Sequence, residues 1–313
     1  MMKAKQNFNY SLTHFEQPED NCRYLHLFIA SYIEQYQLFR DVERYTKIIG
    51  LFMCLCSPPN VSLKGLEAVC MFATLSFFID DQSDKGDVSC LKHYREIVQG
   101  LKTPQNKSEN ALKALLNLVD ELAQFNPEKG TPFRQRLLDY IAAQQWERAY
   151  INRAQGGFRL KDYFRYRPDA IALLPYLALL KLSENIDERH CHPLQRHQLL
   201  FLEQLAVRIA YLDNDICSWE SERLEPTALN LVKVLKEESA LSWEDSLEEA
   251  IRTRNETVEL YVRNRDYALQ SSDAIALRRY LNLLECSVTG NFEAMERLKL
   301  CRLRYELATP IPA

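Results

Sequence analysis

The sequence predicts an all-α fold in a single domain, and three observations support this prediction. Apolar residues recur at helical spacing over long stretches, beginning with Leu25, Phe28 and Ile29. The 313 residues include only 8 Gly and 12 Pro, so few positions interrupt a helix. No alternating strand pattern extends beyond a few residues, and no linker separates two apolar cores.

Three segments are expected along the chain. Residues 1–22 are polar and expected to be flexible, the helical domain covers 23–305, and a tail follows at 306–313. The first periodic stretch runs from 23 to 50, and the Ser-Pro-Pro-Asn sequence at 57–60 breaks the chain after it. Beyond the next helix, which starts at residue 61, helical patterns cover 90–102, 108–125, 131–154, 169–184, 194–218, 227–237, 242–268 and 272–305.

Composition argues against several classes of protein. The net charge of −4 gives no electrostatic reason to expect nucleic-acid binding. The nine Cys residues lie mostly in apolar helical context without a Cys-x-x-Cys pair, which favours buried, reduced thiols. The N-terminus lacks the apolar core of a signal peptide, and the longest apolar run, 170–180, is too short to span a bilayer. We therefore expect a cytoplasmic monomer or homodimer without membrane insertion.

The helix that begins at Val61 leads into the first of two acidic clusters, formed by Asp80, Asp81 and Asp84. Asp80 and Asp84 are four residues apart and therefore share one helix face. Crowded carboxylates at the C-terminal end of a helix are unfavourable for its macrodipole, and a bound cation would offset that cost. The simpler alternative is a solvated acidic helix end.

The second cluster is formed by Asn214, Ser218 and Glu222, which are also spaced four residues apart. Carboxylate, amide and hydroxyl oxygens suit Mg²⁺, which completes its octahedron with water and substrate phosphates. A polar stripe on an amphipathic helix is the alternative. Because both clusters end strongly apolar helices, they are expected to meet at the mouth of a deep apolar pocket and to hold a diphosphate between metal ions.

These motifs resemble those of the class I terpene synthases, also called terpene cyclases. That family carries Asp-Asp-x-x-Asp upstream and Asn/Asp-Asp-hydrophobic-x-Ser/Thr-x-x-x-Glu downstream. The segment from Asn214 to Glu222 fits the second pattern at every defined position, and Arg304-Tyr305 matches an Arg-Tyr pair of the family. The resemblance extends from about residue 25 to 305. It implies a bacterial-type, single-domain helical bundle around a deep apolar pocket, and a sesquiterpene product.

The resemblance also implies a role for each matching residue. Arg167, in Tyr-Phe-Arg-Tyr-Arg, would sense the diphosphate, with Arg165 as the alternative. Arg304 would bridge the diphosphate and Asp81, while Tyr305 donates a hydrogen bond. Three Mg²⁺ ions, with Mn²⁺ as a possible substitute, would be held by Asp80, Asp84, Asn214, Ser218 and Glu222.

Two positions depart from the family pattern. Ser221 occupies a place where the family often has Lys or Arg in contact with the diphosphate, and Arg223 is the nearest cation. Ala294 stands where the family commonly has Trp, four residues after the Gly of a Gly-Asn segment. These differences affect the C-terminal alignment and part of the pocket wall rather than the reaction class.

The predicted activity is that of a lyase that ionises and cyclises an acyclic prenyl diphosphate, with farnesyl diphosphate favoured, and releases diphosphate. Phe77 lies one helical turn before Asp80 and Asp81, so it would face the pocket and stabilise cations. A prenyl chain-elongating synthase is the enzymatic alternative, but such enzymes use a second Asp-Asp-x-x-Asp. A catalytically silent helical relative that acts as a binding protein is the non-enzymatic alternative.

Overall fold

The computed structural model describes residues 12, 16–84, 89–153, 159–187, 192–224, 229–271 and 275–301. Within these ranges all regular secondary structure is α-helical, which confirms the all-α prediction. No helix in the described ranges combines the length and apolarity that crossing a membrane requires. In chain order the helices are α1 (Glu19–Tyr36), α2 (Val42–Cys56), α3 (Leu63–Asp84), α4 (Ser89–Val98), α5 (Lys107–Leu122), α6 (Pro127–Arg153), α7 (Leu160–Ala170), α8 (Leu173–Ser183), α9 (Pro193–Glu222), α10 (Leu231–Ser239), α11 (Trp243–Ser271) and α12 (Ile275–Cys301).

The buried apolar side chains form two clusters. The first is supplied mainly by α1 to α6 and α8, and it includes Leu66, Phe72 and Leu179. The second is supplied mainly by α7 and α9 to α12, and it includes Ile209 and Val232. Helices α3 and α9, which carry the two acidic clusters, therefore belong to opposite halves of the core.

The single helical stretch predicted for 23–50 is wrong, because the structure divides it into α1 and α2. Gln37 adopts a left-handed conformation with φ of 51°, which ends α1. The Asp41 side chain then accepts a hydrogen bond from the backbone N–H of Arg44 at 3.1 Å and caps α2. Apolar periodicity continues across this break, so it did not reveal the turn.

The chain is packed against the bundle before the helical domain was expected to start. α1 begins at Glu19, within the segment 1–22 that the sequence assigns as flexible. Gln17 is buried, and its side-chain amide donates hydrogen bonds to the carbonyl oxygens of Ser57 and Pro58 at 3.0 and 2.6 Å. Residues 1–11 and 13–15 lie outside the described ranges, so flexibility there stays a prediction.

The helix predicted for 169–184 is also divided. α7 ends at Ala170 and α8 begins at Leu173, with Ala172 in a left-handed conformation at φ of 62°. The Gln144 side chain donates to the carbonyl oxygen of Ala170 at 3.2 Å, which satisfies a backbone acceptor exposed by the break. The break makes α7, which carries Arg167, a separate helix from α8.

Gly290 allows α12 to approach α2 closely. A Cβ atom at this position would lie 2.1 Å from the carbonyl oxygen of Leu55, a backbone atom that cannot move aside. One residue later, the Asn291 side chain donates to the carbonyl oxygen of Ala210 on α9 at 3.3 Å. The Gly-Asn segment thus brings three helices together around one space.

Candidate active site

A cavity of about 180 Å³ lies between the two apolar clusters. Its walls are mainly apolar and aromatic, and the residues that form them include Phe52, Met53, Phe72, Phe77, Tyr140, Leu173 and Tyr176. Three of the predicted site residues, from three helices, also line it: Asp80 of α3, Arg167 of α7 and Asn214 of α9. The structure therefore brings both acidic clusters and the candidate diphosphate sensor to one apolar cavity.

The first acidic cluster lies at the end of α3. Asp80 is exposed and lines the cavity one turn after Phe77. Asp81 is half-buried, and its carboxylate accepts a hydrogen bond from the hydroxyl of Tyr45. Asp84 is the last residue of α3, but its side chain is outside the described part of the structure.

The second cluster lies along the last turns of α9, which continues to Glu222, beyond the end at 218 that the sequence predicts for this helix. Asn214 lines the cavity, and the buried Ser218 hydroxyl donates to the backbone carbonyl oxygen of Asn214 at 2.8 Å. Glu222 ends the helix, and its Oε2 accepts a hydrogen bond from Asn230 at 2.9 Å. The three predicted ligands follow one helix face from the cavity toward solvent.

Arg167 forms a buried ion pair with Asp215. Its Nη2 lies 2.6 Å from Asp215 Oδ1 and 3.1 Å from Asn214 Oδ1, and its Nε lies 3.2 Å from Asp215 Oδ1. The side chains are 12% and 0% exposed, respectively. Burial alone would lower the pKa of Arg167, but the facing Asp215 carboxylate raises it well above its usual range. The guanidinium is therefore permanently charged and held beside Asn214.

Asp215 is itself held by two further donors. The hydroxyl of Tyr163 and the backbone N–H of Leu231 each donate to Asp215 Oδ2 at 2.7 Å. Burial raises the pKa of the Tyr163 hydroxyl, and the Asp215 charge adds to this effect, so the tyrosine remains a neutral donor. This carboxylate acts as the junction between α7, α9 and α10.

The other two candidate cations lie away from the cavity. Arg165 is exposed, and its guanidinium carbon lies 5.2 Å from the ring centre of Tyr166. Arg223 follows α9 and is exposed, with its guanidinium carbon 5.8 Å from the ring centre of Trp219. Of these arginines, Arg167 is the one that lines the cavity. Arg304 and Tyr305 lie outside the described residues.

Sequence reasoning missed three residues of this site as contributors. Asp215 belongs to the second motif, but its spacing did not predict an ion pair with Arg167. Tyr163 lies in the same helix as Arg167, and the sequence did not predict that helix. Asn230 precedes an apolar run in the manner of a helix cap, a signal that reveals the cap but not the contact with Glu222.

The donor atoms fit a hard divalent cation. Asp80, Asn214, Ser218 and Glu222 all offer oxygen, which Mg²⁺ and Mn²⁺ prefer. The Asn214 amide oxygen has two lone pairs, so it can accept from Arg167 and still bind a metal. Among the described residues, no three His, Cys, Asp or Glu side chains form a group that could hold a metal ion.

The helical fold and this oxygen-rich, cationic site are together typical of a class of enzymes that bind diphosphates. Among solved structures, α-eudesmol synthase aligns with a TM-score of 0.76 at 17% identity, over 93% of this chain and 99% of that one. Linalool/nerolidol synthase from Streptomyces clavuligerus aligns with a TM-score of 0.76 at 15% identity, over 90% and 98% of the two chains. At such low identity these alignments show that the fold is shared.

The sequence comparisons define the family. The model described as terpene synthase family 2, C-terminal metal binding, matches residues 71–259, and the chain belongs to this family. A curated relative, the (+)-T-muurolol synthase ((2E,6E)-farnesyl diphosphate cyclizing) of Roseiflexus castenholzii, is 25% identical over 249 residues, 74% of each chain. The protein is thus a terpene synthase that acts on a prenyl diphosphate and binds a divalent metal, as the resemblance predicted.

Proposed function

We propose that this protein is a Mg²⁺-dependent sesquiterpene cyclase, which converts farnesyl diphosphate into a cyclic terpene and free diphosphate. One observation carries the proposal: Asp80, Arg167 and Asn214 line the same cavity as Phe77. A charged, oxygen-rich region therefore adjoins an aromatic chamber, as ionisation followed by cyclisation requires. Farnesyl diphosphate is favoured because the curated relative is named for cyclising it.

The metal would be held by oxygen atoms on two helices. Asp80 and Asp84 would bind from α3, and Asn214, Ser218 and Glu222 would bind from α9. We expect three Mg²⁺ ions, with Mn²⁺ able to replace them. When bound, such ions neutralise the diphosphate and make it a better leaving group without protonation.

Arg167 would bind the diphosphate and stabilise the charge that develops as the carbon–oxygen bond breaks. Its Nε and Nη2 already donate to Asp215 and Asn214, so Nη1 would supply the hydrogen bonds to the phosphate oxygens. Its contacts with Asp215 and Asn214 support this role because they fix the side chain at the cavity wall before substrate binds. This is electrostatic preorganisation, in which the donors need not reorient during the reaction.

Three residues are assigned from the family resemblance alone. Arg304 would contact the diphosphate and Asp81, Tyr305 would donate to the diphosphate, and Arg223 would compensate for the absence of a basic residue at Ser221. In the described structure Asp81 accepts from Tyr45, and Arg223 lies beside Trp219. Asp81 can still accept from Arg304 at its other oxygen, whereas Arg223 would have to move to reach a diphosphate.

The aromatic wall would guide the carbocation after ionisation. The ring centre of Phe77 lies 5.7 Å from that of Phe52, and both side chains line the cavity. An aromatic face stabilises a desolvated cation by roughly 1–2 kcal/mol, which biases one branch of the cascade without trapping it. The apolar lining also excludes water that would quench the cation early.

The test is incubation with Mg²⁺ and, separately, geranyl, farnesyl and geranylgeranyl diphosphates, with products read by gas chromatography and diphosphate by a coupled assay. We expect farnesyl diphosphate to be consumed fastest, with cyclic hydrocarbons or alcohols and stoichiometric diphosphate. Chelation of the metal should stop the reaction, and Mn²⁺ should restore it in part. Longer prenyl diphosphates formed on adding isopentenyl diphosphate would indicate a chain-elongating enzyme, and no diphosphate release would indicate a silent relative.

A further inference from the structure

The amide side chain of Asn230 connects the start of α10 to the second acidic cluster. Asn230 is only 1% exposed. Its Oδ1 accepts from the backbone N–H of Val232 at 2.9 Å and so caps α10. Its Nδ2 lies 2.9 Å from Glu222 Oε2, 2.9 Å from the carbonyl oxygen of Asp215 and 3.4 Å from Ser218 Oγ. Two of the predicted metal ligands thus lie within reach of one amide group.

Both ends of this side chain are fixed by different helices. An amide nitrogen has two N–H donors, and the two shorter contacts, to Glu222 and to the Asp215 carbonyl, account for both. The amide cannot rotate without losing the cap of α10 as well as these bonds. It is therefore a rigid donor at a defined position relative to α9.

Glu222 needs such a partner more than the other predicted ligands. It is the last residue of α9 and is partly exposed, whereas Asn214 and Ser218 lie further inside the helix. A glutamate side chain at a helix end samples several rotamers, and ordering it for metal binding costs conformational entropy. A hydrogen bond to one carboxylate oxygen removes much of that freedom and sets the direction of the other oxygen.

The neighbouring residue extends the same arrangement. The backbone N–H of Leu231 donates to Asp215 Oδ2, and Asp215 Oδ1 holds Arg167. The adjacent residues Asn230 and Leu231 therefore contact both Glu222 of the second cluster and Asp215, the carboxylate that holds Arg167.

We infer that Asn230 is a positioning residue of the metal site, which holds Glu222 in the orientation that binds a divalent cation. This inference rests on the proposed function. Partners of metal ligands typically contribute about 10- to 100-fold to metal affinity, and we expect Asn230 to act in this range. Its effect should appear in the metal requirement, in addition to any change in the stability of the metal-free protein.

The variant that tests this is Asn230→Ser. Serine caps a helix about as well as asparagine, so α10 keeps its cap, but the hydroxyl is too short to reach Glu222. Asn230→Gly is a second variant, since glycine at a cap costs only a few tenths of a kcal/mol. Glu222→Gln serves as a reference that weakens the ligand itself.

The chain offers a matched control in Asn106. This residue caps α5 by accepting from the backbone N–H of Glu109 at 2.9 Å, and its Nδ2 donates to Glu109 Oε1 at 3.0 Å. Asn106→Ser therefore removes the same kind of amide–glutamate contact from a helix cap far from the cavity. Any general cost of this change to the fold is measured there.

Three quantities are measured for each variant: Mg²⁺ binding in the presence of inorganic diphosphate by calorimetry, the half-saturating Mg²⁺ concentration for turnover, and the metal-free melting temperature. For Asn230→Ser and Asn230→Gly we expect Mg²⁺ affinity about tenfold weaker or more, with turnover largely recovered at high Mg²⁺. Because Asn230 is buried and Asn106 is exposed, the metal-free melting temperatures of both Asn230 variants should fall further than that of Asn106→Ser, but only the Asn230 variants should lose Mg²⁺ affinity. In a Glu222→Ala background, which lacks the carboxylate that Asn230 would hold, Asn230→Ser should have a much smaller effect on Mg²⁺ affinity.

Unchanged Mg²⁺ affinity in both Asn230 variants, or a weakening that Asn106→Ser reproduces, would overturn the inference. So would an effect of full size in the Glu222→Ala background. Failure of the proposed function has a different signature, because the wild-type protein would then neither bind Mg²⁺ with diphosphate nor release diphosphate from a prenyl substrate.

Discussion

The two acidic clusters lie at opposite sides of one cavity but are built differently. Asp80 and Asp81 lie near solvent, close to the C-terminal end of α3. The hydrogen bond between the Asp81 and Tyr45 side chains joins two half-buried residues. The segment of α9 from Asp213 to Ser218 is largely buried and contacts α7, α10 and α11. The first cluster therefore lies near solvent at the end of its helix, whereas the second is part of the core.

A charged pair behind the second cluster illustrates the difference. Asp213 and Arg254 of α11 are both 0% exposed, and Arg254 Nε donates to Asp213 Oδ1 at 2.8 Å. Asp213 and Asp215, on either side of Asn214, thus pair with arginines of two different helices. We therefore expect changes in the first cluster to affect activity alone, and changes around the second cluster to affect both activity and stability.

The largest effect is expected where that buried pair is broken. Arg254→Ala leaves the Asp213 carboxylate buried without its ion-pair partner, which should cost about 3–5 kcal/mol of stability. The measurement is urea unfolding followed by circular dichroism. The double variant Asp213→Leu with Arg254→Met removes both charges and should recover much of the loss. An Arg254→Ala protein as stable as wild type would mean that the second cluster does not depend on this pair.

The second largest effect is expected in the first cluster, where activity should change but stability should not. Asp80→Ala should lower turnover of farnesyl diphosphate about a hundredfold or more, because a metal ligand at the reacting end of the cavity is lost. Since Asp80 is exposed, stability should change by less than about 0.5 kcal/mol. Gln82→Ala, in the same helical turn, is the control and should retain activity. A folded Asp80→Ala variant with near-normal turnover would remove Asp80 from the site.

The third prediction separates two neighbouring arginines. Arg167→Lys keeps the charge but loses the planar fork that contacts Asp215 and Asn214, so turnover should fall roughly ten- to a hundredfold. Arg165→Lys is the matched control, because Arg165 is exposed and its guanidinium lies over the ring of Tyr166. If Arg165→Lys lowers turnover and Arg167→Lys does not, the residue that senses the diphosphate is Arg165 rather than Arg167.

The smallest effect concerns the chamber between the clusters. Phe77→Leu keeps apolar volume but removes an aromatic face, worth roughly 1–2 kcal/mol to one cation, or about a five- to thirtyfold change in branching. Products should shift toward acyclic or early-quenched terpenes in gas chromatography. Phe78→Leu is the control, since Phe78 packs edge-on against Phe39 at 5.9 Å. A lower melting temperature with an unchanged product profile would assign Phe77 to packing alone.

Much of the fold was predictable because helical periodicity is a local property. The acidic motif at the end of α3 and the ligand spacing on α9 were read from residues within three turns of each other. The breaks at Gln37 and Ala172 were not predicted, because each depends on a left-handed residue that is neither Gly nor Asn. The apolar pattern continues through both breaks, so periodicity alone joined separate helices or misplaced their ends.

The sequence was sufficient to predict the chemistry of each half of the site: which residues offer oxygen ligands, which helix face they share, and which family they resemble. Tertiary packing decided which side chains meet. Arg167 rather than Arg165 lines the cavity because the two side chains lie about 200° apart around α7, and the face with Arg167 packs against α9. Asn230 meets Glu222 because α10 packs against the end of α9. Spacing along a helix fixes neighbours within a few ångströms, whereas contacts between helices depend on the path of the chain through its turns, which no local pattern encodes.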